Sequence, residues 1–277
     1  RIKTWEELDI SDNFMFLKVM QNRRLCKRFL KKLLHLNIKS ITFTAYEQTI
    51  APSPLNKSIR LDLYAELDDG TIVDIEMQTI GTAAELAKRT RYYQGAIDVS
   101  VLEKGEYYTA LKPTYVIFIC TFDPFKLNRR IYTFRNICEE DNSLHLNDGA
   151  TKIFLNAKGT IGEVDEDITA FLDYVNGKTG SNKFVADVAT EVEKVKQHKE
   201  MRLEYMTLEM ELKRREAIWR EEGKAEGKAE GMFKATRAAI VKMMENLQFT
   251  MAQAMDVMNI PAEERAKYAA TIQGGQA

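Results

Sequence analysis

The sequence predicts an α/β protein: a mixed sheet in the order α-β-β-β-α-β, then a β-rich extension and a helical C-terminal tail. Three observations carry this expectation. Residues 60–78 read RLDLYAELDDGTIVDIEMQ, with apolar and polar residues alternating on both sides of Asp68-Asp69-Gly70, the pattern of a β-hairpin. Residues 115–121 are a near-continuous apolar run, as in a central strand covered on both faces. Beyond residue 182 the chain is highly charged, with apolar residues at helical spacing.

Each element has its own signal. Residues 11–36 read as one helix. Ser11 is its candidate cap, and Asp12 lies in the first turn, where a carboxylate suits the helix dipole. Phe14, Leu17, Leu25, Phe29, Leu33 and Leu36 approximate a buried stripe. Arg23, Arg24, Lys27, Arg28, Lys31 and Lys32 fill the other side, as a solvated face or as a face for phosphates. Residues 41–50 read as a strand, and the proline-bearing 51–56 stretch as a loop into the hairpin. Gly81 opens a loop into a second helix over 83–102, and Lys112-Pro113 breaks the chain before the apolar strand. In the extension, 131–136 and 151–156 are the expected strands, and 165–174 a short amphipathic helix.

The glycine-bearing 176–181 stretch reads as a hinge, so a domain over 1–175 precedes a long charged helix at 183–222. Its stripe runs through Val185, Val188, Val192, Val195, His198, Met201, Tyr205, Leu208, Leu212 and Trp219, with a stammer at His198, where two steps of three meet. This stripe either packs back on the domain or pairs in a coiled-coil homodimer. At 223–231 a Gly-Lys-Ala-Glu repeat places glycine at every fourth residue, as a weak helix or a linker. It is not a phosphate loop, which has four residues between its glycines and Ser or Thr after Lys. The 232–277 tail reads as three short helices, a small packing or oligomerisation module in preference to a helix-turn-helix.

Composition narrows the function classes. A hydrophobic fraction of 45% and a charged fraction of 29% are globular values. A net charge of −1 excludes a general polycation, so nucleic-acid binding has to rest on local basic patches. Cys26, Cys120 and Cys138 lack metal-ligand spacing and the first two sit in apolar contexts, as thiols do in a reducing cytoplasm. No stretch approaches the roughly 18 apolar residues of a membrane span. No signal-peptide pattern is present, and the chain begins at Arg1, as a trimmed chain or a fragment does. His35, His145 and His198 share no motif and read as core or surface residues.

The chemistry lies in the hairpin. Asp74, Glu76 and Gln78 alternate with Val73, Ile75 and Met77, so they share one face of a strand. Register decides whether Asp62 joins them. A three-residue loop at 68–70, with Gly70 in the left-handed position, pairs Leu67 with Thr71, Tyr64 with Asp74 and Asp62 with Glu76. Directly paired residues have Cβ atoms roughly 4.5–5.5 Å apart. A two-residue turn would instead face Asp62 with Met77 and destroy the site. The three-residue loop is the expectation. Two carboxylates this close repel, and a divalent cation between them removes the conflict.

An Asp on one strand followed by Glu-X-(Lys or Gln) on the next resembles the PD-(D/E)XK nuclease superfamily. The blocks DNFMFLKVM at 12–20, DIEMQ at 74–78, KRTRYYQ at 88–94 and YVIFICTFDPF at 115–125 resemble, in this order, its transposase-like branch, the recombination-promoting nuclease family. The resemblance runs over roughly the first 220 residues and includes the glycine repeat after them. It implies a restriction-endonuclease-like core and a Mg²⁺- or Mn²⁺-dependent DNA endonuclease of low sequence specificity, linked to recombination or mobile elements. It implies Asp62 and Glu76 as metal ligands, with water and a backbone carbonyl near Ile75 or Glu76.

Gln78 stands where many members of the superfamily carry Lys; it can position water or phosphate but cannot titrate. Asp12 matches an acidic residue of the family's first helix and either completes the metal shell or compensates the helix dipole. Asp74 is an outer-sphere ligand or a partner for a nearby cation. Arg89 and Tyr93 lie four apart on the second helix, with Lys88 and Arg91 beside them, and are expected to contact DNA phosphates. DNA is the expected partner, with no membrane, and a homodimer forms through the 183–222 helix. With Gln in place of Lys, the alternative is a DNA-binding or oligomerising protein with a nuclease fold and little cleavage. A third reading is an interaction protein that binds through its long helix and tail.

Overall fold

The computed structural model describes residues 2–50, 59–180 and 182–273. They form two compact units, one from Lys3 to Met206 and one from Thr207 onward. In the first unit, α1 (Asn13–Met20) and α2 (Arg23–Leu34) precede β1 (Ile41–Ile50), β2 (Ile59–Leu67) and β3 (Ile72–Gln78). Next, α3 (Ala83–Val101) leads to β4 (Thr114–Cys120), β5 (Ile131–Phe134) and β6 (Ala150–Asn156), and α4 (Glu166–Val175) and α5 (Lys183–Gln197) follow.

The six strands form one sheet in the order β1-β2-β3-β4-β6-β5. β1, β2 and β3 pair antiparallel, β3, β4 and β6 parallel, and β5 antiparallel to β6 at the edge. The expected mixed sheet and its α-β-β-β-α-β order are present. The strands of the expected extension do not stand apart from it. β6 lies directly beside β4, because its Ile153, Phe154 and Leu155 are buried toward both faces. The 51–56 loop falls outside the described residues.

The β2–β3 turn sets the register. Gly70 N–H donates to Leu67 O at 3.0 Å and Leu67 N–H to Thr71 O at 2.9 Å. Gly70 has φ +82°, the left-handed region that closes a three-residue loop. Tyr64 therefore faces Asp74 and Leu63 faces Ile75. All seven residues of β3 are buried, since β2 and β4 flank it and helices cover both sheet faces. Ile72 shares a core with Tyr64, Val116, Phe118, Cys120 and with Leu86, Tyr93 and Ile97 of α3. Val73, Ile75 and Met77 point the other way, to the face where α1 packs on β2 and β3.

Both long helices expected from the sequence are broken. The 11–36 stretch is two helices because Asn22 leaves the helical region and its Oδ1 accepts the N–H groups of Arg24 and Leu25, starting α2. α1 is buried almost all round, through Phe14, Met15, Phe16, Leu17, Val19 and Met20. Asp12 rather than Ser11 holds its cap position, and Ser11 bonds to Asp9. The 183–222 stretch breaks at His198, whose backbone is extended (φ −84°, ψ 111°) and whose carbonyl accepts Arg202 N–H. The stammer is thus relieved by ending α5 and beginning α6 (Lys199–Leu247). Val185, Val188, Val192 and Val195 are buried, with α5 against α1 and α4. That half of the stripe belongs to its own core.

α6 runs without interruption through the 223–231 repeat, which is therefore helical. In the second unit its end joins α7 (Met251–Val257) and α8 (Ala262–Gln273) around Ile240, Met255, Ile260, Tyr268 and Ile272. A Thr250–Gln253 capping box starts α7. No helix among the described residues is long and apolar enough to cross a membrane.

Candidate active site

The site gathers where β2 and β3 part. Their ladder follows the expected register as far as Leu63 opposite Ile75. One step on, a side chain replaces it: Glu76 Oε1 accepts the backbone N–H of Asp62 at 3.0 Å. Both residues are buried, Asp62 at 5% and Glu76 at 2% exposure. Glu76 Oε2 accepts from Gln78 Nε2 and from Arg89 Nη2, each at 3.2 Å. Arg89 Nη1 donates to Gln78 Oε1 at 2.7 Å, so Gln78 bridges the carboxylate and the guanidinium.

The local sequence aims Arg89. Thr82 caps α3 by accepting Glu85 N–H, and positions 89 and 93 then share the face turned to β3. Arg89 Nη2 donates to Tyr93 Oη at 3.0 Å, and the guanidinium lies over the rings of Tyr93 and Phe118. Lys88 and Arg91 fall on the exposed side of α3. Burial first, and then the charge of Glu76, pushes the Tyr93 phenol up to about 12, so it stays protonated at neutral pH.

Asp74 is fully buried, and neither carboxyl oxygen has a hydrogen-bond partner. Burial, reinforced by the charges of Glu76 and Asp62, holds its acid well above the ordinary carboxylate range; Arg89 opposes this only in part. On the other side of the site, Asn13 Nδ2 donates to Asp62 Oδ1 at 3.1 Å. The bonds of Asp12 run elsewhere: its Oδ2 accepts from Lys3 Nζ and from Asp9 N–H, both at 2.8 Å. The structure thus brings together Asp62, Glu76, Gln78, Arg89 and Tyr93 and ties Asp12 to the N-terminal segment. Sequence reading passed over Asn13, although it stands in the DNFMF block; no periodicity separates it from Asp12.

This donor set fits a divalent cation. Hard carboxylate oxygens converge, they repel one another, and those of Asp74 are orphaned. Among the described residues no three His, Cys, Asp or Glu side chains are grouped to enclose a metal ion. The chain offers converging carboxylate oxygens rather than a full cage, which a hard divalent cation that keeps part of its water shell accepts.

The family model described as "PD-(D/E)XK nuclease family transposase" matches residues 13–226, well over half of the chain. The match begins at Asn13 and takes in the hairpin, α3 and β4. No curated protein and no solved structure matches the chain. A nuclease- or transposase-type function, with DNA as substrate and the divalent metal usual in such nucleases, accords with the geometry of β2, β3 and α3. The chain belongs to the PD-(D/E)XK nuclease family of transposases.

Proposed function

We propose that the chain is a divalent-metal-dependent DNA endonuclease that hydrolyses phosphodiester bonds with low sequence specificity, in recombination or mobile-element chemistry. The observation that carries this reading is the buried Asp62–Glu76–Gln78–Arg89 cluster beside the orphaned carboxyl of Asp74. Asp62 and Glu76 would hold Mg²⁺ or Mn²⁺, with Asp74 behind them. The cation, when bound, supplies positive charge against the anionic transition state and lowers the pKa of the attacking water.

Gln78 carries no charge, so the fixed protein cation of the site is Arg89, 3.2 Å from Glu76 and 2.7 Å from Gln78. Its side chain is 30% exposed, enough to meet a phosphate oxygen. The protonated Tyr93 hydroxyl is a second donor for that oxygen. Lys88 and Arg91 on the outer side of α3 contact flanking phosphates, which position the strand without reading sequence. Asn13 orients Asp62, and Asp12 anchors the segment that precedes it. In a reducing cytoplasm the three free cysteines remain thiols.

A second reading is favoured by one observation: Gln78 stands in the Lys position, and Glu76 already accepts from both Gln78 and the cationic Arg89. The protein would then bind DNA with little cleavage. Plasmid incubation with Mg²⁺, Mn²⁺ and EDTA arms separates the two. Metal-dependent nicking supports the endonuclease; retarded mobility without nicking supports the binding protein.

The homodimer keeps a narrower basis than the whole 183–222 stripe. Its valines are buried in their own unit, while Leu212 and Trp219, which share one face of α6, are exposed and mark the surface a second copy would cover. Sedimentation velocity at tens of micromolar measures this, and a monomer there rejects the dimer.

A further inference from the structure

A second cationic feature lies away from the catalytic cluster. Six basic residues of α2, joined by Lys39, Ser40 and Ile41, line a cavity of ≈ 480 Å³. Its cations are only partly neutralised. Arg28 makes a two-pronged contact with Asp167, Lys32 pairs with Asp165, and Arg24 with Asp187. Arg23, Lys27, Lys31 and Lys39 meet no carboxylate within ion-pair distance among the described residues. Three positive charges, on Arg23, Lys27 and Lys31, therefore remain around one opening, with the charge of Lys39 offset in part by the Asp68 carboxylate, on a chain whose net charge is −1.

The cavity lies at the turn end of the hairpin. Asp68 Oδ1 accepts the N–H groups of Lys39 and Ser40. Asp62 stands six residues back along the same strand, roughly 20 Å away at about 3.3 Å per residue. The opening is thus not the mouth of the site formed by Asp62 and Glu76.

The chemistry of the walls selects the ligand. A pocket for a small phosphate is built on backbone N–H groups. Here those amides are occupied: Asn22 takes Arg24 and Leu25, and Asp68 takes Lys39 and Ser40. What remains is a set of long ammonium and guanidinium side chains, of which Lys27 donates to Lys39 O, and such a set suits a polyanion contacted at several phosphates.

We propose that this cavity is a second, non-catalytic contact for the phosphate backbone of duplex DNA, separate from the scission site. It deepens the DNA-directed function proposed above and rests on it. A duplex rises about 3.4 Å per base pair, so a substrate longer than about six base pairs is long enough to span both places. The cavity would raise affinity for long DNA at low salt and leave the chemical step untouched.

The test uses the full chain and a duplex of about 30 base pairs, with EDTA present so that nothing is cut, read by fluorescence anisotropy over a salt series. Arg23→Glu with Lys31→Glu changes two side chains that have no partner. Binding at about 100 mM salt should weaken at least tenfold, and the slope of log K against log salt should fall by about two. The same-charge control Lys213→Glu with Lys224→Glu should stay within about twofold of the parent. Single-turnover cleavage at saturating DNA should be unchanged in all three proteins. Equal affinity and slope in parent and Arg23/Lys31 variant overturn the proposal, as does an equal loss in the control. A parent that binds through the cavity without cutting removes only the endonuclease reading. A parent that binds no duplex removes both.

Discussion

Glu76 accepts the backbone N–H of Asp62 at 3.0 Å, so the two residues of the proposed metal pair are joined through a main-chain donor. The same carboxylate takes Gln78 Nε2 and Arg89 Nη2. It is a structural hub as well as a proposed ligand. Glu76→Ala would leave these donors without an acceptor in a buried place and should destabilise the protein by about 2–4 kcal/mol. Glu76→Gln keeps an acceptor oxygen and should cost less. Urea unfolding of the two variants measures the difference; equal stabilities would remove the hub role.

Gln78→Ala should reduce cleavage about 10²–10³-fold, the scale of losing one positioning donor. From sequence alone, Gln78→Lys is expected to keep activity or change its pH dependence. The structure revises that expectation, because Arg89 Nη1 lies 2.7 Å from Gln78 Oε1 and a Lys there would face a like charge. Gln78→Lys should therefore lose activity, and Gln78→Lys with Arg89→Gln should regain part of it. Single-turnover rates across pH decide this. A Gln78→Ala protein as active as the parent would show that Gln78 lies outside the site.

The thiols report on the core. Burial pushes Cys26 up to about 12, and burial, only partly opposed by Arg89, does the same for Cys120. A raised thiol pKa keeps the unreactive protonated form at pH 8. Cys138 is only half-buried. Ellman's reagent at pH 8 should titrate Cys138 rapidly in the native protein and all three cysteines in guanidinium. Three fast thiols in the native state would contradict the placement of α2 and β4.

In the repeat, Gly223, Gly227 and Gly231 sit inside α6, and a Cβ added at any of them would meet nothing within 4 Å. Each glycine costs a helix about 1 kcal/mol relative to Ala. Replacing all three with Ala should raise helicity and melting temperature by circular dichroism. A loss of stability would show that the missing side chains are needed by a partner seated on that face.

The sheet was legible because alternation and turn chemistry agree: Asp68-Asp69-Gly70 fixes one loop length, and loop length fixes which carboxylates face each other. The contact between Arg89 and Tyr93 followed from a spacing of four on α3, whereas the bond from Arg89 to Glu76 on β3 left no such trace. Helix breaks were not legible, because a polar Asn22 or His198 reads equally well as a surface residue in mid-helix. They end helices because a capping bond or an extended backbone there lets the flanking helices pack in different directions. Asn13 was missed for a similar reason: its bond to Asp62 joins residues 49 apart and leaves no periodic trace.

Asp62 and Glu76 are the proposed metal-dependent cleavage centre. The most direct measurement compares supercoiled-plasmid nicking by parent, Asp62→Asn and Glu76→Gln proteins of equal purity, each with Mg²⁺ and with EDTA, after circular dichroism has shown all three folded. Nicking is expected from the parent with Mg²⁺ alone, and from neither variant. Nicking by a folded Asp62→Asn or Glu76→Gln protein at the parental rate, or nicking by the parent that survives EDTA, would contradict that assignment.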